Sequence, residues 1–217
     1  CETYVIVQDP NNFCSALPVS VAGALKTELA DGVEEAQVSL AGNHPYTPPI
    51  NLLQSSNSSG DFMFQGALPY LADYVLTPMK DDNPINGVTT YDLVLISKHI
   101  LGLQPLGSPY KMIAADANKS NSITTFDIVE LRKLILGIYT ELPNNESWRF
   151  VDKSFVFAEP NNPFVNPWPE SIVVENVQDN RLNENFVGLK VGDVNNSAIA
   201  NSVFTTEDRG AGVLFFD

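Results

Sequence analysis

Polar and apolar positions fall into three regimes along the chain. Between residues 15 and 80, short apolar or alternating runs are separated by Gly, Asp, Asn and Pro. Residues 19–25, 35–40, 50–53, 62–64 and 74–78 read as strands, with turns at Ala30-Asp31-Gly32 and Ser59-Gly60-Asp61. Strands this short and closely spaced predict a small β-sandwich over 15–80. From 81 to 140 the period changes. Leu93, Ile96 and Ile100, then Ile128, Leu131 and Ile135, recur at helical spacing, and Gly102 and Gly137 stand where a helix stops. Residues 141–200 keep neither period, but Trp148, Phe150, Phe155, Phe157, Phe164 and Trp168 make the segment too apolar for a free linker. It reads as a wrap packed on the helices and the sandwich.

The two ends, 1–14 and 201–217, carry segments that are apolar on both faces. In residues 212–216, Val213 and Phe215 point one way while Leu214 and Phe216 point the other; residues 3–7 behave alike. Such a strand must be covered, because an exposed apolar edge templates aggregation. One expectation is a terminal strand that completes the sheet of a neighbouring copy, giving head-to-tail, non-closing assembly. The alternative is that both ends are edges of domains in a longer polypeptide.

Self-comparison finds a repeat. Displaced by 35 positions, Asp81 meets Asp116, Asn83 meets Asn118, Thr89-Thr90 meets Thr124-Thr125, Asp92 meets Asp127, and Ile100-Leu101-Gly102 meets Ile135-Leu136-Gly137. Each copy is an Asx-rich loop followed by an amphipathic helix. In the second, Asp116, Asn118 and Ser120 take positions 1, 3 and 5, Ser122 position 7, apolar Ile123 position 8, Thr124 position 9 and Asp127 position 12. Calcium takes six to eight hard oxygens, and this spacing wraps side-chain oxygens and a terminal carboxylate around one point. Asn121 holds position 6, where glycine is usual; Asn tolerates left-handed geometry. The first copy offers Asp81, Asn83, Gly87 through its carbonyl, Thr89 and Asp92. Ile85 at position 5 brings no side-chain oxygen, so a water or a borrowed ligand must complete the shell. Two Ca2+ sites are expected, the alternative being metal-free capping turns.

This tandem resembles a type I dockerin over residues 81–137. The resemblance implies that Thr90, Tyr91, Thr125, Phe126, Lys98, Arg132 and Lys133 face a cohesin-like partner. The aromatics at position 11 depart from the pattern and equally suit packing within the chain. Upstream, Val21-Ala22-Gly23, Asp31-Gly32-Val33, Ala36-Gln37-Val38, Gly60-Asp61-Phe62 and Tyr74 resemble a carboxypeptidase-regulatory or Cna-B prealbumin-like sandwich, which implies a non-catalytic stalk module. With the ending 186–197, the order resembles large secreted or surface proteins of Bacteroidetes-type bacteria, implying extracellular or cell-surface display. Within that ending Asp193, Asn195 and Ser197 repeat the 1-3-5 spacing without a position-12 carboxylate, and either donate oxygens to a neighbouring site or form a polar turn.

The expected fold class is thus mixed α and β: a prealbumin-like β-sandwich packed with a dockerin-like pair of calcium loop–helix motifs, plus terminal strands. Twelve Lys and Arg against 26 Asp and Glu give a net charge of −14. That balance disfavours nucleic acid and anionic membrane surfaces and suits divalent cations. No run nears the ~18–20 apolar residues of a membrane span. Cys1 and Cys14 read as a disulfide in an oxidising compartment, with two buried thiols or a lipid-anchored Cys1 as alternatives. Two histidines and no Gly-x-Ser-x-Gly, His-Glu-x-x-His or phosphate-loop motif point away from catalysis. The expected function is a calcium-stabilised structural subunit of a fibre or adhesive stalk, self-assembling with identical subunits or neighbouring domains. The alternative is an adaptor docking onto a cohesin-like receptor.

Overall fold

The computed structural model describes residues 18–44 and 48–202, and the terminal strand segments, Cys1, Cys14 and Val213, Leu214, Phe215 and Phe216 lie outside them. Five strands fall in the first part of the chain: β1 (Val19–Thr27), β2 (Gln37–Asn43), β3 (Ile50–Ser55), β4 (Asp61–Leu68) and β5 (Asp73–Met79). Each expected strand has its counterpart. Helices α1 (Thr90–Ile100), α2 (Pro109–Ala115) and α3 (Thr125–Ile135) follow, then β6 (Trp148–Asp152), β7 (Ile172–Val174) and β8 (Phe186–Lys190). The molecule is therefore mixed α and β.

The strands form two four-stranded sheets, ordered β4-β1-β8-β6 and β3-β2-β5-β7. Alternation decides their faces: β1 and β2 bury every second residue, so Val21 and Leu25 meet Val38 and Leu40 in one core with Phe64, Leu76 and Phe186. A second core lies on the far side of β6 and β8, where Val151 and Leu189 pack with Ile96, Ile113, Leu131 and Leu134 from the helices. Hence β8 is buried at all five positions. It runs parallel to β1 and antiparallel to β6, with sheet on one face and helices on the other.

The segment 141–200 does more than wrap. It donates one strand to the outer sheet and two to the inner one, β7 pairing with β5 and β6 and β8 pairing with each other. β6 and β8 are hidden in the sequence because a strand covered on both faces has no polar phase, and β7 because it is only three residues long. Helix α2 was also not expected. It is about two turns long, capped by the Ser108 hydroxyl with Pro109 in its first turn, and Met112 to Ala115 are buried.

If 186–190 is a central strand, Phe186→Ala should cost roughly 3–5 kcal/mol, the range for an aromatic truncated in a closed core. Leu53→Ala, on an edge strand where Leu53 is 61% exposed, should cost under about 0.5 kcal/mol. Denaturant melts of both variants check this, and similar small losses would mean the segment is only draped on the fold.

Candidate metal centre

Loop 116–127 starts where α2 ends, at Asp116, and finishes in the first turn of α3. Short Asx and hydroxyl side chains bend such a loop by accepting its own amides. Asp116 accepts from the Ser120 and Asn121 N–H groups through its two oxygens, each at 2.8 Å, and Asn118 Oδ1 also accepts from Ser120 N–H at 3.1 Å. Lys119 and Asn121 take left-handed backbone, with φ of 57° and 59°. At the other end Asp127 closes a capping box, with Oδ2 accepting the Thr124 N–H at 2.8 Å and Thr124 Oγ1 at 3.2 Å. Its second oxygen reaches back to the Asn118 N–H at 3.2 Å. Ser120 Oγ lies 3.3 Å from the Ser122 carbonyl and 3.0 Å from its hydroxyl. Positions 1, 3, 5, 7, 9 and 12 are thus drawn together around two buried carboxylates, Asp116 and Asp127.

The first copy is laid out differently. Asp92 caps α1 as Asp127 caps α3, with Oδ2 on the Thr89 N–H at 2.9 Å and on Thr89 Oγ1 at 2.8 Å. Asp81 is turned to another task, accepting the Ser147 N–H at 2.8 Å. Asn83 sits in a turn whose carbonyl takes the Asn86 N–H, and Ile85 is exposed. The free oxygen of Asp92 accepts instead from Val194 N–H at 3.0 Å. Next to it, Asp193 Oδ1 accepts from Asn195 and Ser197 N–H, at 3.2 and 3.1 Å, and Oδ2 from Ala198 N–H at 2.7 Å. Ser197 Oγ donates to the Gly87 carbonyl at 3.1 Å. The 1-3-5 motif of the chain's end therefore lies against the 7-to-12 half of the first loop.

Both pairs of carboxylates are costly as bare charges. Burial pushes Asp127 above the usual carboxylate range, and the neighbouring Asp116 charge adds to the push. Burial likewise raises Asp193, with Asp92 adding to it. The built-in counter-charge near Asp193 is Lys190, whose own burial lowers it to about 8 while its Nζ donates to the Pro84 carbonyl at 2.8 Å. Among the described residues no three His, Cys, Asp or Glu groups come together. Each loop combines two carboxylates with amide, hydroxyl and carbonyl oxygens, a donor set suited to a hard cation and poor for zinc or copper.

Of the partner-facing positions, Thr90, Tyr91, Thr125, Phe126 and Arg132 are exposed, with Tyr91 at 57% and Phe126 at 71%, while Lys98 and Lys133 are half-buried. The aromatics at position 11 are therefore not packed within the described fold. Trp148 is a core residue, and Arg149 lies 4.4 Å over the Trp168 ring. Among the described residues no helix is long and apolar enough to cross a membrane. No protein family, curated protein or solved structure matches the chain.

Asp127→Asn removes the charge at nearly constant shape; its oxygen can keep the Thr124 bonds, while its NH2 gives up the bond from the Asn118 N–H. A carboxylate raised by folding stabilises the fold below its unfolded value, 3.8 for Asp127, and that contribution is lost as pH rises through the folded value. In chelator at pH 7 the variant should therefore melt close to the wild-type temperature, relief of the buried charge offsetting the lost Asn118 bond. In saturating calcium it should lose most of the ion's contribution, about 2.7 kcal/mol at a hundred times Kd. Calorimetry in both media reads this; equal loss in both would remove the metal from the explanation.

Proposed function

We propose that this chain is a non-catalytic, calcium-stabilised structural module of an extracellular fibre or adhesive stalk, built as a prealbumin-like sandwich carrying a dockerin-like pair. The observation that supports it most is the second loop. Six oxygen-bearing positions are gathered around Asp116 and Asp127 at the head of a helix whose apolar side is buried in the second core. A cation held there would neutralise two buried carboxylates and stiffen the join between α2 and α3. Both helices pack near β8, so the stiffening reaches the inner sheet. The surface charge of −14 suits a calcium-rich exterior, where such loops remain loaded.

A second reading has its own observation. Thr90-Tyr91 and Thr125-Phe126 form equivalent exposed corners on α1 and α3, the places at which a dockerin-like adaptor would meet a cohesin-like receptor. Aromatic side chains with polar neighbours suit the centre of such an interface. Self-assembly by terminal strands rests on residues outside the described ones.

Sedimentation velocity of residues 1–217 in calcium and in chelator tests the choice. Large species in calcium, lost when 212–217 are removed, are the outcome expected for a self-assembling unit. A monomer more compact in calcium than in chelator, in which Asp116→Ala removes the difference, keeps the calcium module and directs attention to the exposed corners at Tyr91 and Phe126. A monomer indifferent to calcium would sink both readings.

A further inference from the structure

We infer that the first cation site is split between two distant segments, with Asp193, Asn195 and Ser197 supplying positions 1, 3 and 5 and Gly87, Thr89 and Asp92 supplying positions 7, 9 and 12. The inference deepens the calcium reading above and rests on it.

The two centres share several bonds. In the contiguous loop Asp116 accepts the amides four and five residues on; Asp193 accepts those of Ser197 and Ala198, also four and five on. Ser120 Oγ donates to the carbonyl at position 7 of its own loop, and Ser197 Oγ donates to Gly87. Asp127 reaches back to an amide near the loop's start, and Asp92 reaches Val194. Lys119 and Asn196, both fourth in the pattern, share left-handed backbone at φ 57° and 60°.

An independent observation points to a missing partner. Asn195 Oδ1, at position 3, is buried and accepts no hydrogen bond, while its counterpart Asn118 Oδ1 is engaged. A buried amide oxygen with nothing to accept is costly unless something ligates it. Asp92 and Asp193 beside it are 0% and 4% exposed. The split frame also removes the defect of the contiguous one, because Ser197 brings the hydroxyl that Ile85 lacks, while Asp81 bonds out of the loop, to Ser147.

Backbone fit makes the junction specific. Gly87 has φ 74°, and a Cβ there would stand 2.6 Å from the Ala198 backbone. Asn86 clasps Ile199 in both directions, at 2.8 and 3.0 Å. Beyond the site the chain reaches the sandwich: Ala200 lies in the inter-sheet core, its carbonyl takes the Glu34 N–H at 2.9 Å, and Asn201 Nδ2 donates to the Gly32 carbonyl at 2.9 Å. An ion at this point ties helix α1 to the segment that reaches the sandwich, so it acts as a clasp between the helical layer and the sheets.

Calcium titration calorimetry of the whole chain reads the stoichiometry. The expectation is two ions for the wild type, one for Asp193→Asn, one for Asp116→Asn, none for the double variant, and two for Asp81→Asn. Asn195→Ala is the milder second variant and should weaken one site at least about tenfold. Circular dichroism of each variant in chelator should match the wild type. Hydrogen exchange should show calcium slowing the Ala198 and Ile199 amides in the wild type and in Asp116→Asn, but not in Asp193→Asn. Two ions retained by folded Asp193→Asn, or one lost on Asp81→Asn, overturns the split site. One wild-type ion, lost only with Asp116→Asn, overturns it while leaving the second loop standing. No binding by the wild type overturns the calcium reading itself.

Discussion

Strand β8 is the constraint on which the rest depends. It is hydrogen-bonded to β1 on one side and β6 on the other, and its residues are buried toward both layers. Phe186 serves the inter-sheet core and Leu189 the helical one, so one five-residue strand joins two hydrophobic clusters that otherwise share few elements. Burial of this kind, at ~25 cal/mol per Å² of apolar surface, dominates any single polar contact in the molecule. The chain then leaves β8 through Gly192, where φ is 88° and a Cβ would lie 2.6 Å from Leu131. Only glycine passes there, and the next residue is Asp193. The position of β8 thus fixes where the last Asx motif arrives.

Against that frame the carboxylates are the costly part. Asp92, Asp116, Asp127 and Asp193 are all buried, in two pairs, in a chain with an excess of negative charge. Backbone amides carry part of the load, since each carboxylate accepts from at least two N–H donors or from an amide and a hydroxyl. Amide donors do not fully offset the cost, since burial first and the neighbouring charge after it push Asp127 and Asp193 above the usual carboxylate range. A divalent cation opposes desolvation and repulsion together, and it does so without demanding a third carboxylate.

Much of this was legible in the sequence, and what was not has physical reasons. Strands β1, β2, β4 and β5 and helices α1 and α3 announced themselves because each has one wet face, giving alternation or a 3.6-residue period, whereas β3 was read from its apolar run between turn residues. Residues 148–152 and 186–190 have none, being covered on both faces, and so read as an aromatic wrap. The second loop was legible because all its oxygens lie within twelve residues. The first was read from Asp81 because a local frame was available, and the sequence offers no sign that Asp81 is spent on Ser147 while Asp193 lies beside Asp92. The clue was the unfinished 1-3-5 motif at 193–197 together with the missing oxygen at Ile85: two incomplete halves whose sum is one loop. Exposure of Tyr91 and Phe126 was not decidable either, because an aromatic beside a capping box fits a core and a surface equally well.

The two centres also differ in what their assembly requires. A contiguous twelve-residue loop closes on itself, and α3 needs only its own capping box to present Asp127. The split centre joins residues about a hundred positions apart. By chain entropy alone, closing that larger loop costs about 2 kcal/mol more than closing the short one. That cost is met before any ion arrives, since the pairing of β8 with β1 and β6 already delivers Asp193 to Asp92. The second loop is therefore a local element, able to order with its helix, whereas the split centre exists only once the inner sheet is complete. An ion bound in the contiguous loop stabilises that loop; an ion bound at the split centre stabilises the whole assembly of sheets and helices, because every element that brings its two halves together must be in place for the ligands to meet.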